Sequence, residues 1–183
     1  MLAIAAAVMG AVFVISFKPY IADRFSAWGK CFELADSTGY QQARVLTYSA
    51  SGGLFGVGVG NGYLKYVFAS ESDLVFGLLC EEVGLIIAVA ILACIIGLVI
   101  YARAITTRSR STFYSISACC AAGLMLVQTA LNVFGATDIL PLTGVTLPFV
   151  SLGGSSMISC WCLLAFIKAA DERTYAIKKV RQN

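Results

Sequence analysis

Apolar residues fall into four long runs, and polar segments separate them. The clearest run, 83–101, reads VGLIIAVAILACIIGLVIY and carries no charge. It is long enough to cross the roughly 30 Å hydrocarbon layer of a bilayer. The other runs are 2–17, 113–134 and 150–167. We interpret 2–17 as a membrane span and not as a cleaved signal, because the first basic residue, Lys18, comes after it.

Composition supports a chain that crosses the membrane several times. Hydrophobic residues make up 59% and charged residues 13%, whereas soluble domains carry about 25% charged residues. The chain has no histidine, which excludes Ser-His-Asp and Cys-His catalysis and histidine-ligated zinc. The seven cysteines form no Cys-x-x-Cys pair and lie mostly in apolar runs, so we interpret them as small buried hydrophobes.

Basic residues cluster after three of the apolar runs, which predicts that these clusters are cytoplasmic. The clusters are Lys18, Arg24, Lys30 and Arg44; Arg103, Arg108 and Arg110; and Lys168, Arg173, Lys178, Lys179 and Arg181. Because they lie in separate membrane-flanking groups, we expect no nucleic-acid partner. This topology needs one further crossing, and the only candidate is the glycine-rich segment 40–63. Such backbone is tolerated at membrane depth only where it packs against protein or lines a wet cavity.

The predicted fold is therefore an all-α, polytopic membrane helix bundle with about five crossings. The predicted spans lie near 2–17, 40–63, 76–101, 113–134 and 150–168. The predicted extracytoplasmic loops are 64–82 and 135–149, and 169–183 is a cytoplasmic tail.

Four acidic residues surround the start of the third span: Glu71, Asp73, Glu81 and Glu82. Asp73 lies at the membrane boundary, where desolvation raises the pKa of a carboxylate and suits it to general-base chemistry. Ionisable groups in this zone are candidates for function. If a helix begins near Asp73, Glu81 lies two turns along on the same side. For Glu81 and Glu82, stabilisation of a helix N-terminus is an equal alternative.

Three further patterns each leave two interpretations open. The glycines from Gly52 to Gly62 are typical of close helix packing, or of a backbone cradle for phosphate. Gln128 and Asn132 share a helix face and either bind another element or contact a substrate. The segment 140–156, LPLTGVTLPFVSLGGSS, is uncharged and rich in proline, glycine and hydroxyl groups. Its hydroxyls either fix the loop or bind a sugar.

Several of these motifs together resemble the SEDS family (shape, elongation, division and sporulation), to which FtsW, RodA and SpoVE belong. The motifs are Gly39-Tyr40-Gln41, the Gly52–Gly60 run, Ser72-Asp73-Leu74, Glu81-Glu82-Val83-Gly84, Gln128 with Asn132, and PLTGVTLPFVSLGGSS from Pro141 to Ser156. The resemblance runs from about Phe17 to Glu172 and implies the C-terminal half of a ten-span fold. We therefore expect a fragment of a longer protein, in the bacterial plasma membrane with an extracytoplasmic active face. The chain departs from the family pattern at Val67-Phe68-Ala69, Leu74 and Leu152.

The resemblance implies a peptidoglycan glycosyltransferase that polymerises lipid II, with inversion, beside a class B penicillin-binding protein. Asp73 matches the essential aspartate of the family, as general base or as a ligand of a divalent cation, Mg²⁺ or Mn²⁺. Candidate substrate-binding residues are Lys65, Glu81, Glu82, Gln128, Asn132, Thr143, Ser151 and Ser155. The alternatives are a lipid II flippase and a non-catalytic scaffold of the division or elongation machinery. A role in division, in elongation or in sporulation is left open.

Overall fold

Helices and loops make up all of the chain that the computed structural model describes, which is residues 19–108 and 112–182. In chain order the elements are α1 (Pro19–Ala27), α2 (Tyr40–Gly52), a 3₁₀ turn (Leu64–Tyr66), α3 (Val75–Glu82), α4 (Leu85–Arg108), α5 (Thr112–Ala136) and α6 (Gly154–Gln182). Because these residues contain no strand, the predicted all-α class is confirmed for them. The predicted span 2–17 and Lys18 lie outside the described residues.

The helices α4, α5 and α6 form an antiparallel three-helix bundle. Small side chains let the helices approach closely, as is common between membrane helices. The buried residues of this core are Ala102, Ile105, Ala118, Ala121, Ala122, Met125, Ile167 and Ala170. At the end of the bundle where α4 meets α5, the Ser115 hydroxyl donates to the Thr106 carbonyl at 3.1 Å. At the same end the Tyr101 hydroxyl donates to Asp171 Oδ2 at 2.9 Å.

Two of these helices are apolar and long enough to cross a membrane. They are the Leu85–Thr107 part of α4 and the whole of α5, Thr112–Ala136, judged by length and composition. Both coincide with predicted spans, so the described residues are consistent with a membrane helix bundle.

The opposite end of the bundle carries the remaining elements, which we call the head region (residues 19–84 and 137–153). Its apolar core joins α2, the 3₁₀ turn and α3 to the ends of α4 and α5. The buried members are Val45, Leu64, Val67, Leu74, Phe76, Cys80, Ala88, Ala136 and Leu142. This core attaches the head region to the bundle.

The predicted span 76–101 is divided into two helices. α3 ends at Glu82, and α4 begins at Leu85 after Gly84, whose φ of 90° lies in the left-handed region. Because glycine lacks a Cβ, it adopts this conformation readily. The membrane-length helix therefore starts after the acidic pair 81–82, and α3 belongs to the head region.

The segment 40–63, which the charge pattern predicts to cross the membrane, contains a short helix and an irregular loop. α2 has 13 residues, whereas a span needs about 20. Near its start, Gln42 Nε2 donates to the Gly135 carbonyl at 2.6 Å. Just after its end, the Gly53 carbonyl accepts from the Leu85 N–H at 3.1 Å. Both ends of α2 thus lie at the same end of the bundle, and no membrane-length helix is present between 40 and 63.

A second contact bears on the topology that the charge pattern predicts. Arg24 Nη1 donates to the Leu142 carbonyl at 2.6 Å, and Trp28 Nε1 donates to the Asp138 carbonyl at 3.3 Å. Arg24 is predicted to be cytoplasmic and 135–149 extracytoplasmic, whereas the structure brings the two into contact. The positive charge of Arg24 serves a tertiary contact here, which the positive-inside rule does not take into account. The number of crossings and the sidedness stay predictions.

Candidate functional site

Asp73 lies in a tight loop that immediately precedes α3. The loop turns at Ala69, whose φ of 62° is unusual for a residue with a side chain. The Ala69 carbonyl accepts from the N–H groups of Ser72 (3.3 Å), Asp73 (3.0 Å) and Leu74 (3.3 Å). These contacts are made by backbone atoms and fix the path of the chain into α3.

Three consecutive carbonyls of the segment 71–73 are held by donors from α5 and from the loop before α6. The first accepts from the Leu152 N–H at 2.8 Å. The second accepts from the Ser151 hydroxyl at 2.6 Å, and the third accepts from Asn132 Nδ2 at 3.0 Å. We call these three bonds the carbonyl clamp. It fixes the backbone of Asp73 relative to the bundle.

Two of the clamp donors are themselves held in place. Ser151 and Asn132 are each 2% exposed. The Ser151 hydroxyl also accepts from the Leu147 N–H at 2.8 Å, and Asn132 Nδ2 also donates to the Val145 carbonyl at 2.7 Å. For Ser151 these contacts favour loop fixing over sugar binding. For Asn132 they favour binding to another element over contact with a substrate.

The side chains of Asp73 and Arg24 converge beside Gly144. A Cβ atom on Gly144 would lie 3.1 Å from Asp73 Oδ2 and 3.2 Å from Arg24 Nη1, and the φ of Gly144 is 74°. Both side chains are half-buried. The absence of a side chain at Gly144 thus lets a carboxylate and a guanidinium reach the same small space.

Arg24 is the functional candidate that sequence reasoning missed. It is one of the basic residues that follow the first apolar run, so its charge was assigned to topology. Nothing in the local sequence links it to Asp73, which lies in another loop. Only the fold brings α1 against the segment 142–144.

The described residues contain no group of three His, Cys, Asp or Glu side chains that could hold a metal ion. Mg²⁺ is commonly held by one or two carboxylates together with substrate phosphates, so a single carboxylate such as that of Asp73 is compatible with it. Beside Asp73 the structure places a guanidinium, which occupies the space with positive charge. The divalent cation therefore stays a prediction, and no step below depends on it.

Glu81 lies at the opposite end of α3 from Asp73, and its carboxylate accepts hydrogen bonds from the protein backbone. The helix begins at Val75, after Asp73, so helical spacing from Asp73 does not apply. Glu81 is 1% exposed; its Oε1 accepts from the Tyr63 N–H at 2.7 Å and its Oε2 from the Leu64 N–H at 2.9 Å. The carboxylate thus satisfies the first amides of the 3₁₀ turn.

Lys65 borders an open groove of about 390 Å³ that runs along the segment preceding Asp73. The lining residues are Lys65, Val67, Ala69, Ser70, Glu71, Ser72 and Leu152. The Lys65 ammonium donates to the Gly60 carbonyl and lies 5.1 Å from the ring centre of Tyr66. The groove therefore combines one cation with one exposed carboxylate, that of Glu71.

The other predicted substrate-binding residues do not all converge on this place. Gln128 Oε1 and Asn132 Oδ1 are buried without a hydrogen-bond partner among the described residues. Thr143 and Ser155 are exposed, and Glu82 is half-buried. The structure thus brings Asp73, Asn132 and Ser151 together and leaves Thr143, Ser155 and the acidic pair outside the clamp.

The glycine run packs backbone against backbone. A Cβ on Gly52 would lie 2.1 Å from the Cys80 carbonyl oxygen, and one on Gly56 would lie 2.3 Å from the Glu82 carbonyl oxygen. The two amides that follow Gly56 donate to the carbonyls of 81–82, at 2.9 and 3.0 Å. These contacts favour packing over a phosphate cradle for this part of the run, because its amides already have acceptors.

Comparison with known proteins agrees with the family resemblance found in the sequence. A family model described as "Cell cycle protein" (FtsW/RodA/SpoVE) matches residues 1–176. The chain is 35% identical over 179 residues to the probable peptidoglycan glycosyltransferase FtsW of Lactococcus lactis subsp. lactis (strain IL1403), covering 94% of this chain and 43% of that protein. It is 35% identical over 144 residues to the peptidoglycan glycosyltransferase RodA of Mycobacterium bovis (strain ATCC BAA-935 / AF2122/97), covering 79% and 31%.

A third relative is the probable peptidoglycan glycosyltransferase FtsW of Bacillus subtilis (strain 168). The identity is 32% over 137 residues, which cover 74% of this chain and 34% of that protein. In all three comparisons the chain spans less than half the length of the curated relative that it matches.

Proposed function

Because the chain belongs to the FtsW/RodA/SpoVE family of cell cycle proteins, we propose that it carries the general base of a peptidoglycan glycosyltransferase. The proposed reaction is the polymerisation of lipid II into glycan strands by an inverting mechanism. The activities named for the three relatives described above support this proposal. Since the chain spans less than half of their length, activity is to be tested together with the part of a relative that the chain does not match.

The observation that carries the proposal is the carbonyl clamp on the segment 71–73. It fixes the backbone of Asp73 with three bonds to α5 and the loop before α6. The carboxylate itself stays half-buried beside Arg24. Proton abstraction needs a base whose backbone is fixed and whose side chain the substrate can reach, and Asp73 meets both conditions.

In the proposed step, Asp73 removes the proton from the 4-hydroxyl of the GlcNAc sugar of one lipid-linked disaccharide. The oxygen forms a bond to the anomeric carbon of the other glycan. The bond from that carbon to undecaprenyl pyrophosphate breaks, and the pyrophosphate leaves with the electron pair. A single direct displacement inverts the configuration at the anomeric carbon.

The leaving pyrophosphate needs compensation for its negative charge. The amides of Val57 and Gly58 donate to carbonyls of α3, so we do not assign them this role. We assign it to two cations near Asp73. These are Arg24, which shares the space beside Gly144, and Lys65 in the adjoining groove.

The proposed setting is the outer face of the bacterial plasma membrane, with lipid II as substrate and a class B penicillin-binding protein as partner. Two helices of membrane length, α4 and α5, support the membrane setting. Because the head region holds Asp73 at one end of these helices, a lipid-linked sugar could meet the base at the membrane boundary.

The test is glycan polymerisation in liposomes that contain lipid II. The chain is reconstituted alone, and also with the remaining region of a longer relative and a class B penicillin-binding protein. Asp73→Asn is compared with Asp36→Asn, which alters an exposed carboxylate in the loop before α2. We expect Asp73→Asn to abolish polymer formation and Asp36→Asn to retain it.

Polymer made by the Asp73→Asn complex would contradict the assignment of the base. If the unmodified complex is correctly inserted and makes no polymer, lipid II transport is measured in the same liposomes. Transport without polymerisation would establish the flippase alternative. If the complex shows neither polymerisation nor transport, the scaffold alternative is the one that remains.

A further inference from the structure

The segment between Arg44 and Lys65 contains no charged residue over 20 positions, 45–64. Within it, residues 53–59 read GLFGVGV and form an irregular loop, which we call the glycine loop. The glycine loop is not part of the carbonyl clamp, and its role is not explained by the proposed chemistry. Its lack of charge indicates surroundings other than bulk water.

The glycine loop lies level with the first turn of α4. The Gly53 carbonyl accepts from the Leu85 N–H at 3.1 Å, and the Leu54 carbonyl accepts from the Ile86 N–H at 3.4 Å. α4 is the most apolar helix of membrane length among the described residues. We therefore take its first turn as one boundary of the hydrocarbon layer, which places the glycine loop at that depth.

The side chains of the glycine loop are apolar and point away from the protein. The exposed fraction is 56% for Leu54, 83% for Phe55, 42% for Val57 and 77% for Val59. Soluble surfaces rarely expose so many contiguous large apolar groups. They continue the exposed apolar face of the first turns of α4, where Ile86 is 52% exposed.

Irregular backbone can lie at apolar depth only if its polar groups have partners within the protein. The glycine loop meets this requirement at its centre. The Gly56 N–H donates to the Gly52 carbonyl at 2.8 Å, and the N–H groups of Val57 and Gly58 donate to the carbonyls of 81–82 at 2.9 and 3.0 Å. The close approach that Gly56 permits makes these bonds possible.

We propose that the glycine loop inserts into the interface of the leaflet at the N-terminal end of α4, with Phe55 and Val59 in contact with lipid acyl chains. The occupant of this surface is the bilayer itself, because the loop shares both its depth and its apolar face with a membrane-length helix. This inference does not depend on whether Asp73 is a catalytic base.

The test is tryptophan fluorescence of the full chain in lipid nanodiscs. Trp28 and Trp161 are replaced by phenylalanine, and single tryptophans are introduced as Phe55→Trp or Val59→Trp. Ile87→Trp, on α4, is the lipid-facing reference. Thr38→Trp, at an exposed position in the loop before α2, is the aqueous reference. Quenching by dibrominated acyl chains is compared with quenching by aqueous iodide.

We expect both loop variants to follow the Ile87→Trp reference, with a blue-shifted emission, strong quenching by brominated lipid and weak quenching by iodide. Quenching that follows the Thr38→Trp reference would overturn the proposal. Shielding of both loop variants from both quenchers would also overturn it, because protein would then cover the surface. Because two loop positions are tested, the proposal can still be judged if one of the two variants fails to fold.

Discussion

The three-helix bundle and the head region are built from different interactions. The bundle core consists of alanines and a few larger aliphatic side chains. The head region contains most of the buried polar and charged residues, among them Gln42, Glu81 and Ser151. A bundle of this kind is specified by hydrophobicity and small size over many positions. The head region depends on individual hydrogen bonds, each of which one substitution can remove.

The largest effect is expected where backbones touch in the head region. Gly56→Ala would place a Cβ 2.3 Å from the Glu82 carbonyl oxygen at a φ of 78°. Overpacking and left-handed strain together should lower the free energy of unfolding by about 3–5 kcal/mol. Denaturation in mixed detergent micelles measures this change.

The matched control for that substitution is Gly60→Ala. Gly60 has a similar φ of 81°, but no atom lies within 4 Å of the new Cβ. Strain alone should then remain, at about 1–2 kcal/mol. Equal losses for the two variants would show that close approach at Gly56 does not hold the glycine loop against α3.

A smaller loss is expected for Glu81→Ala. The buried amides of Tyr63 and Leu64 would lose their acceptor, and each unsatisfied buried group costs about 1–3 kcal/mol. We expect a total of about 2–4 kcal/mol, together with faster hydrogen exchange at those two amides. Glu82→Ala, at a half-buried neighbour, should change neither, and a comparable loss there would refute a specific role for Glu81.

Ser151→Ala tests the carbonyl clamp. It removes a donor to the Ser72 carbonyl and the acceptor of the Leu147 N–H, so we expect a loss of about 1–3 kcal/mol. If the proposed function holds, kcat of polymerisation should fall as well, because Asp73 is no longer fixed. Ser155→Ala, at an exposed position in the first turn of α6, should lie within about 0.5 kcal/mol of the unmodified chain.

The smallest effect is expected in the bundle. Ala121→Gly, at a position that is 3% exposed, should cost about 0.5–1 kcal/mol through helix entropy. Hydrogen exchange in the head region should not change. Gly123→Ala, where no atom lies within 4 Å of the added Cβ, should stabilise α5 slightly. A head region that loosens in Ala121→Gly would show that the two regions are not energetically separate.

The sequence predicted the bundle better than the head region, for a physical reason. Long apolar runs predicted α4 and α5 because hydrophobicity accumulates over 24 and 25 residues. The segment 40–63 was interpreted as a crossing because a charge rule required one. Its short helix and loop are held by contacts to Gly135 and Leu85, which lie far along the chain and leave no local pattern.

The candidate site was also only partly predictable. Asp73 could be chosen as a base because a carboxylate beside an apolar run is unusual. The contact of Asn132 with the Asp73 carbonyl explains an amide in an apolar helix, although the sequence did not indicate its partner. Arg24 could not be found, because its role arises where α1 meets the loop at Gly144.

The carbonyl clamp has a consequence for how such a site can diverge. The clamp and the turn at Ala69 bind main-chain oxygens of the segment 69–73. Every amino acid supplies such an oxygen, so side chains beside Asp73 can be exchanged while the backbone path is retained. Selection should therefore restrict the side-chain donors, Asn132 and Ser151, more tightly than Glu71 and Ser72, which contribute only their carbonyls to the clamp.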